Sequence, residues 1–219
     1  MRVEHRYIKQ GLYTPAGATS LLIGTFPSVL IREAFGRIRT TDVDFFYGSR
    51  DNNFWQDLGL IYHRTFSFDR TEEAIEQRKQ LLDDLGLGLS DAIYACETTG
   101  SAMDTALHHI ELNEHIIHTL DAFPTIYTLY FTSSSGKVNA ETLTLRLLKE
   151  KGRSSKMQIV QKTSPRLRHL LFTDVQGNQR PIKTITLYSP SPLAEQWGSL
   201  TPEKRREQYR QYLPAMRNG

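Results

Sequence analysis

Ser20-Leu21-Leu22-Ile23-Gly24-Thr25-Phe26-Pro27-Ser28 joins an apolar run to a glycine turn and a proline-fixed loop. A short apolar run bounded by turn residues is the pattern of a buried strand. Its C-terminal end here delivers a rigid loop. A second run, Ile182-Lys183-Thr184-Ile185-Thr186-Leu187, ends in the comparable loop Ser189-Pro190-Ser191-Pro192-Leu193. In open α/β sheets, ligands bind where loops leave the carboxyl ends of strands. The two loops are therefore expected to face each other across one crevice.

The rest of the chain supplies the matching alternation. Strands are predicted at 19–25, 90–95, 125–131, 168–173 and 183–188, and helices at 53–62, 71–85, 104–121, 139–150 and 201–212. Such alternation predicts an α/β fold with a mainly parallel sheet. Thr71 followed by Glu72 and Glu73 reads as a helix start that Gly86 ends, and Thr201-Pro202 opens the last helix. Lys151 to Ser164 reads as a mobile basic loop, and 174–178 as a turn between short strands.

At 219 residues with 39% hydrophobic content, residues 1–219 are expected to form one domain around one sizeable core. The lone Cys96 excludes an internal disulfide and any cysteine-clustered metal site. Met1 to Gln10 lacks the apolar centre of a signal peptide, and no apolar run reaches membrane-spanning length. A soluble cytoplasmic protein is the expectation. The formal charge of +3 is unevenly spread. Residues 1–150 hold 14 basic against 20 acidic side chains, a balance of −6, and residues 151–219 hold 13 against 4, a balance of +9. Basic clusters such as Lys204-Arg205-Arg206 suit a polyphosphate partner, although a solvated basic face accounts for a charge run equally simply.

Together with the Asn52-Asn53-Phe54-Trp55 segment, the two loops resemble motifs of the uracil-DNA glycosylase superfamily, in its hypoxanthine-DNA glycosylase branch. Gly86-Leu87-Gly88-Leu89-Ser90-Asp91-Ala92-Ile93 with Cys96-Glu97, Gly100-Ser101 and Asp104, and then Phe123-Pro124 with the run ending at Phe131, are similar to that branch in the same order. The resemblance implies a three-layer α/β/α domain, uracil-DNA glycosylase-like, that hydrolyses the N-glycosidic bond of a flipped base in DNA. It also implies a monomer without metal or cofactor. The chain departs from the uracil-specific relatives in having Phe26 where they place an Asp or Asn, and Ser189 where they place a His. The resemblance to that branch alone makes hypoxanthine the favoured base, with uracil also possible. The segment from Ile31 to Asp42 is extra, and Thr132-Ser133-Ser134-Ser135-Gly136 replaces an Asn-Gly pair.

N-glycoside hydrolysis passes through a sugar with oxocarbenium character, so a neutral amide suffices to hold the attacking water. The resemblance places that amide at Asn52; an Asx turn or helix cap is the local alternative. Amides near Gly24 and Thr25 are candidates to bind the leaving base. Phe54 is the candidate stacking face, with Phe26 in the same pocket, Tyr47 stacking or blocking beside it, and Trp55 and Leu58 in the core. Ser28, Ser189 and Ser191 are candidate DNA contacts along with Lys204, Arg205 and Arg206, and Leu193 is the candidate wedge entering the vacated stack. The histidines, including His108, His115 and His118, read as solvated or core residues, so no metal site is expected. Two other classes remain open: a diverged nucleic-acid-binding module without chemistry, and a hydrolase of free nucleosides, for which the basic C-terminal third would be unnecessary.

Overall fold

The computed structural model describes residues 1–9, 13–101, 103–133, 135–196 and 200–217. The elements in chain order are β1 (Arg2–Glu4), α1 (Arg6–Lys9), β2 (Ser20–Gly24), α2 (Ser28–Ala34), α3 (Phe54–Tyr62), α4 (Glu72–Leu85), β3 (Leu87–Asp91), β4 (Ile93–Thr98), β5 (Leu107–Leu112), α5 (His115–Ala122), β6 (Thr128–Phe131), α6 (Ala140–Glu150), β7 (Ser154–Gln161), β8 (Arg166–Thr173), β9 (Gln179–Thr186), α7 (Pro192–Gln196) and α8 (Pro202–Tyr212). Six strands form the main sheet in the order β3-β2-β6-β9-β8-β7, and β1-β4-β5 form a smaller sheet.

β2 is buried along its whole length, which explains its unbroken apolar character. It pairs in parallel with β3 on one side and β6 on the other, and β9 pairs in parallel with β6. Successive side chains of β2 serve two cores. Leu22 packs with Phe54 and Trp55 of α3, Leu81, Leu82 and Leu85 of α4, and Tyr209 of α8. Leu21 and Ile23 pack with Ile116 and Leu120 of α5 and Leu143 and Leu147 of α6. Helix ends follow their sequence signals. The Thr71 side chain accepts from the Ala74 amide at 3.2 Å and Gly86 closes α4 at φ +58°, a left-handed angle that glycine adopts without Cβ strain. Thr201 likewise accepts from the Lys204 amide ahead of Pro202 in α8.

Three of the five pairings in the main sheet are parallel, as expected; one expectation is refined and two are corrected. The sheet is mixed, because β8 runs antiparallel to β9 and β7 antiparallel to β8. The predicted helix 104–121 is a short 3₁₀ turn, then strand β5, then α5. Register shifts against β4, with His109 at φ 46°, disturb the alternation of β5. Leu107 and Ile110 thus fall three apart, as they would on a helix. The basic segment 151–164 contains the edge strand β7, whose residues are mostly exposed on both faces and so carry no periodic apolar signal.

Candidate functional site

The carboxyl ends of all four parallel strands open onto one edge of the sheet, and there lies a cleft of about 1100 Å³. Its walls come from the loop after β2, the end of β3, the loop after β6 and the loop after β9. From β2 the chain moves to β3 on one flank, then returns across β2 to β6 on the other. The switch point therefore lies between β2 and β6, where adjoining loops diverge and leave a crevice. Thr25 Oγ1 and Ser133 Oγ meet there at 2.9 Å. The volume exceeds the ~300–1,000 Å³ of ordinary small-molecule pockets, which leaves room for more than an isolated base.

The Asn52–Trp55 segment and the Ser189–Leu193 loop are joined directly. The Asn53 amide donates to the Pro190 carbonyl at 3.0 Å, and Asn53 Nδ2 donates to Glu195 at 3.1 Å. Asn52, Thr25, Phe26, Ser28, Ser189, Ser191 and Leu193 all line the cleft. Asn52 Oδ1 accepts from the Phe54 amide at 2.9 Å, an Asx turn that starts α3, so one lone pair of the side-chain carbonyl is already used. Ser189 Oγ accepts from the Ser191 amide at 3.2 Å and braces its own loop. Leu193 is 36% exposed on α7 at the rim.

Gly24 sits beneath the floor. A Cβ there would collide with the Asp91 carboxylate and approach the Tyr47 hydroxyl to 2.6 Å, so only glycine lets these two groups reach the cleft. Phe54 is placed differently from the expectation. It is fully buried, with the Tyr47 ring against it at 4.4 Å, and Tyr47 is the ring that faces the cleft. Tyr47 holds φ 54°, an uncommon backbone angle for a bulky residue. Its hydroxyl shares a 2.9 Å hydrogen bond with Thr132 Oγ1.

The basic cluster on α8 also departs from expectation. Arg205 is 1% exposed and donates through Nε to Asp57 at 2.5 Å and through a second nitrogen to Glu195. Arg206 bonds Asp57 and Glu203, and Lys204 is exposed beside Pro165 and Tyr188 without lining the cleft. Asp57, on α3, needs a countercharge once buried, and Arg205 supplies it. The cations at the cleft are Lys137, Lys162, Arg32 and Arg166. Arg32 is held by Asp42 and Arg166 by Glu141. Lys137 and Lys162 have no ion-pair partner among the described residues.

Two carboxylates that no motif reading assigned stand in the same cleft. Asp91, the last residue of β3, is buried and bonded to His5 Nε2 at 2.8 Å. Asp104 accepts from Thr25 Oγ1 at 3.0 Å. Burial lifts the Asp104 carboxyl to about 6; the Thr25 hydroxyl opposes the rise and the Asp91 charge adds to it. Burial raises Asp91 too, against the pull of His5. The signal for Asp91 was available in its position at the carboxyl end of a buried strand. His5 gave none, since Met1–Gln10 reads as a polar opening segment. No group of three or more His, Cys, Asp or Glu side chains among the described residues is arranged to hold a metal ion. No helix among them is long and apolar enough to cross a membrane. Comparisons with models of protein families, with curated proteins and with solved structures find no match to this chain.

Proposed function

We propose that the chain is a monofunctional DNA N-glycosylase, a three-layer α/β/α member of the uracil-DNA glycosylase superfamily. Its substrate is a deaminated base flipped out of DNA, hypoxanthine before uracil. The observation that carries this reading is the Asn53–Pro190 backbone bond, which ties the Asn52–Trp55 segment to the Ser189–Leu193 loop, so that Asn52 lines one cleft at the strand ends with that loop and the loop after β2. Tyr47 offers the flipped base an aromatic face, and amides near Gly24 and Thr25 bind its edge. Asn52 still has a second lone pair on Oδ1, and its Nδ2, with which to hold the water that attacks C1′. Ser28, Ser189 and Ser191 contact the phosphate backbone, and Leu193 at the rim fills the vacated stack. Lys137 and Lys162 place positive charge where the backbone would cross the mouth. The reading calls for a cytoplasmic monomer and for no metal or cofactor.

The test is a panel of duplexes carrying uracil, hypoxanthine, xanthine or an alkylated base, cleaved with alkali after incubation to reveal abasic sites. Hypoxanthine release is expected, and Asn52→Ala should slow it roughly 10²–10³-fold, as losing one transition-state donor does. A panel without abasic sites would overturn the reading. The engagement of Asn52 Oδ1 by the Phe54 amide favours one alternative, a DNA-binding module that lost its chemistry. In that case the protein would bind these duplexes in a salt-dependent way and leave every base attached.

A further inference from the structure

The cleft floor sets a condition on how a base can leave. Asp91 and Asp104 both face it, and Gly24 is the residue whose missing side chain lets Asp91 do so. A base expelled as an anion would move toward an ionised carboxylate in a partly buried site, where like charges repel strongly. A base expelled neutral would not. The second carboxyl, Asp104, is oriented by the Thr25 hydroxyl and sits at the crevice between β2 and β6. Resting on the glycosylase reading, we propose that Asp104 is the proton donor to the departing base, and that the site therefore takes a purine in preference to a pyrimidine such as uracil. A purine keeps unsubstituted ring nitrogens that gain basicity as the C1′–N9 bond stretches. Uracil has none, since N1 carries the sugar and N3 a proton.

The C1′–N9 bond breaks with its electron pair going to the base, while the Asp104 proton passes to a ring nitrogen and the base leaves neutral. Water forms the new bond to C1′ and gives its extra proton to solvent in the cleft, from which Asp104 is reprotonated. Asp91 is a positioning residue: its charge raises the Asp104 carboxyl and so helps to keep the Asp104 proton in place. The other charged or titratable groups facing this pair are accounted for. His5 lies behind Asp91, Tyr47 is hydrogen-bonded to Thr132, and Arg32 and Arg166 are paired with carboxylates. Asp51, His108, Lys137 and Lys162 line the rest of the cleft as exposed side chains, and Tyr188 as a half-buried one.

The experiment measures single-turnover release of hypoxanthine, and of 7-methylguanine, from duplex DNA between pH 5 and 8. 7-Methylguanine is already cationic and needs no proton. For wild type, hypoxanthine release should fall as pH rises through about 6, where Asp104 loses its proton. Asp104→Asn should slow it roughly 10²–10⁴-fold, the range of general-acid catalysis, and remove that pH dependence. Release of the methylated base should be unaffected. Asp91→Asn should move the falling limb to lower pH, a change that a structural role would not produce. An Asp104→Asn variant with the wild-type rate and profile, or one slowed equally on both bases, would overturn the proton-donor assignment while leaving the glycosylase reading intact. A wild-type protein that releases neither base would overturn the glycosylase reading itself, and the assignment with it.

Discussion

Asp104 lowers the stability of the fold at neutral pH, because its carboxyl is raised to about 6 in the folded state and is ordinary when unfolded. Below about pH 4 both states hold the proton and nothing is lost. Between about 4 and 6 the unfolded chain ionises first, so stability falls with rising pH, and above that the loss is constant. Asp104→Asn should therefore unfold at a higher temperature than wild type at pH 7.5, by roughly 1–2 kcal/mol after allowance for solvent screening. At pH 4 the two should melt together, and calorimetry at both values checks this. Tyr47 and Phe54 provide the second comparison at this scale. Phe54→Ala should cost roughly 3–5 kcal/mol by opening a core cavity, whereas Tyr47→Ala should spare stability more than base release. If Phe54→Ala folded normally and lost only activity, the two rings would have exchanged roles. The sequence placed the stacking ring two residues after Asn52, but α3 turns that residue inward. The left-handed backbone that aims Tyr47 at the cleft is imposed by tertiary contacts that no local pattern encodes.

Among the elements, α8 shows how a charge run misleads. Lys204-Arg205-Arg206 reads as a phosphate-binding cluster, but with one residue every 100° or so around a helix axis, neighbouring side chains point different ways. Arg205 turns into the protein to meet Asp57 and Glu195. Arg205→Ala should thus leave the buried Asp57 carboxylate with only the 3.4 Å contact from Arg206 and cost about 3–5 kcal/mol, measured by denaturant unfolding. If the proposed function holds, the loops after β6 and β7 are the better place to seek DNA contacts. Replacing Lys137 and Lys162 with Ser should reduce the slope of log affinity against log salt by roughly one for each phosphate that is no longer neutralised. An unchanged slope would remove these lysines from the interface. The helices with capping signals, α4 and α8, and the buried strand β2 were legible, because each depends on local chemistry or on burial of both faces. β5 and β7 were not legible. A bulged strand and an edge strand owe their form to their partners, which appear only in the tertiary structure.

Across the whole molecule, the charge asymmetry of the sequence is largely neutralised within the fold. Basic side chains of the last third meet acidic ones from the first 150 residues: Arg153 with Asp121, Lys151 with Glu114, Arg166 and Arg168 with Glu141, and Arg205 with Asp57. The +9 of residues 151–219 is thus in good part a countercharge to the −6 that precedes it. The α/β class and the crevice at the strand ends followed from alternation alone. The turn at 174–178 between β8 and β9 was legible too, but β7 was not, for want of apolar alternation, and the carboxylate pair was not, because Asp91 and Asp104 come together only where the chain folds back onto the Thr25 loop.

The Asn53–Pro190 bond adds something to measure. It ties the Asn52–Trp55 segment to the Ser189–Leu193 loop, so separating those two segments to admit a substrate must release that one N–H to solvent, whatever happens to the core beneath. Hydrogen–deuterium exchange at Asn53 becomes a gauge of how often the mouth opens, readable without substrate or turnover. An opening frequency far below the rate of base release would mean that DNA threads in with the rim shut.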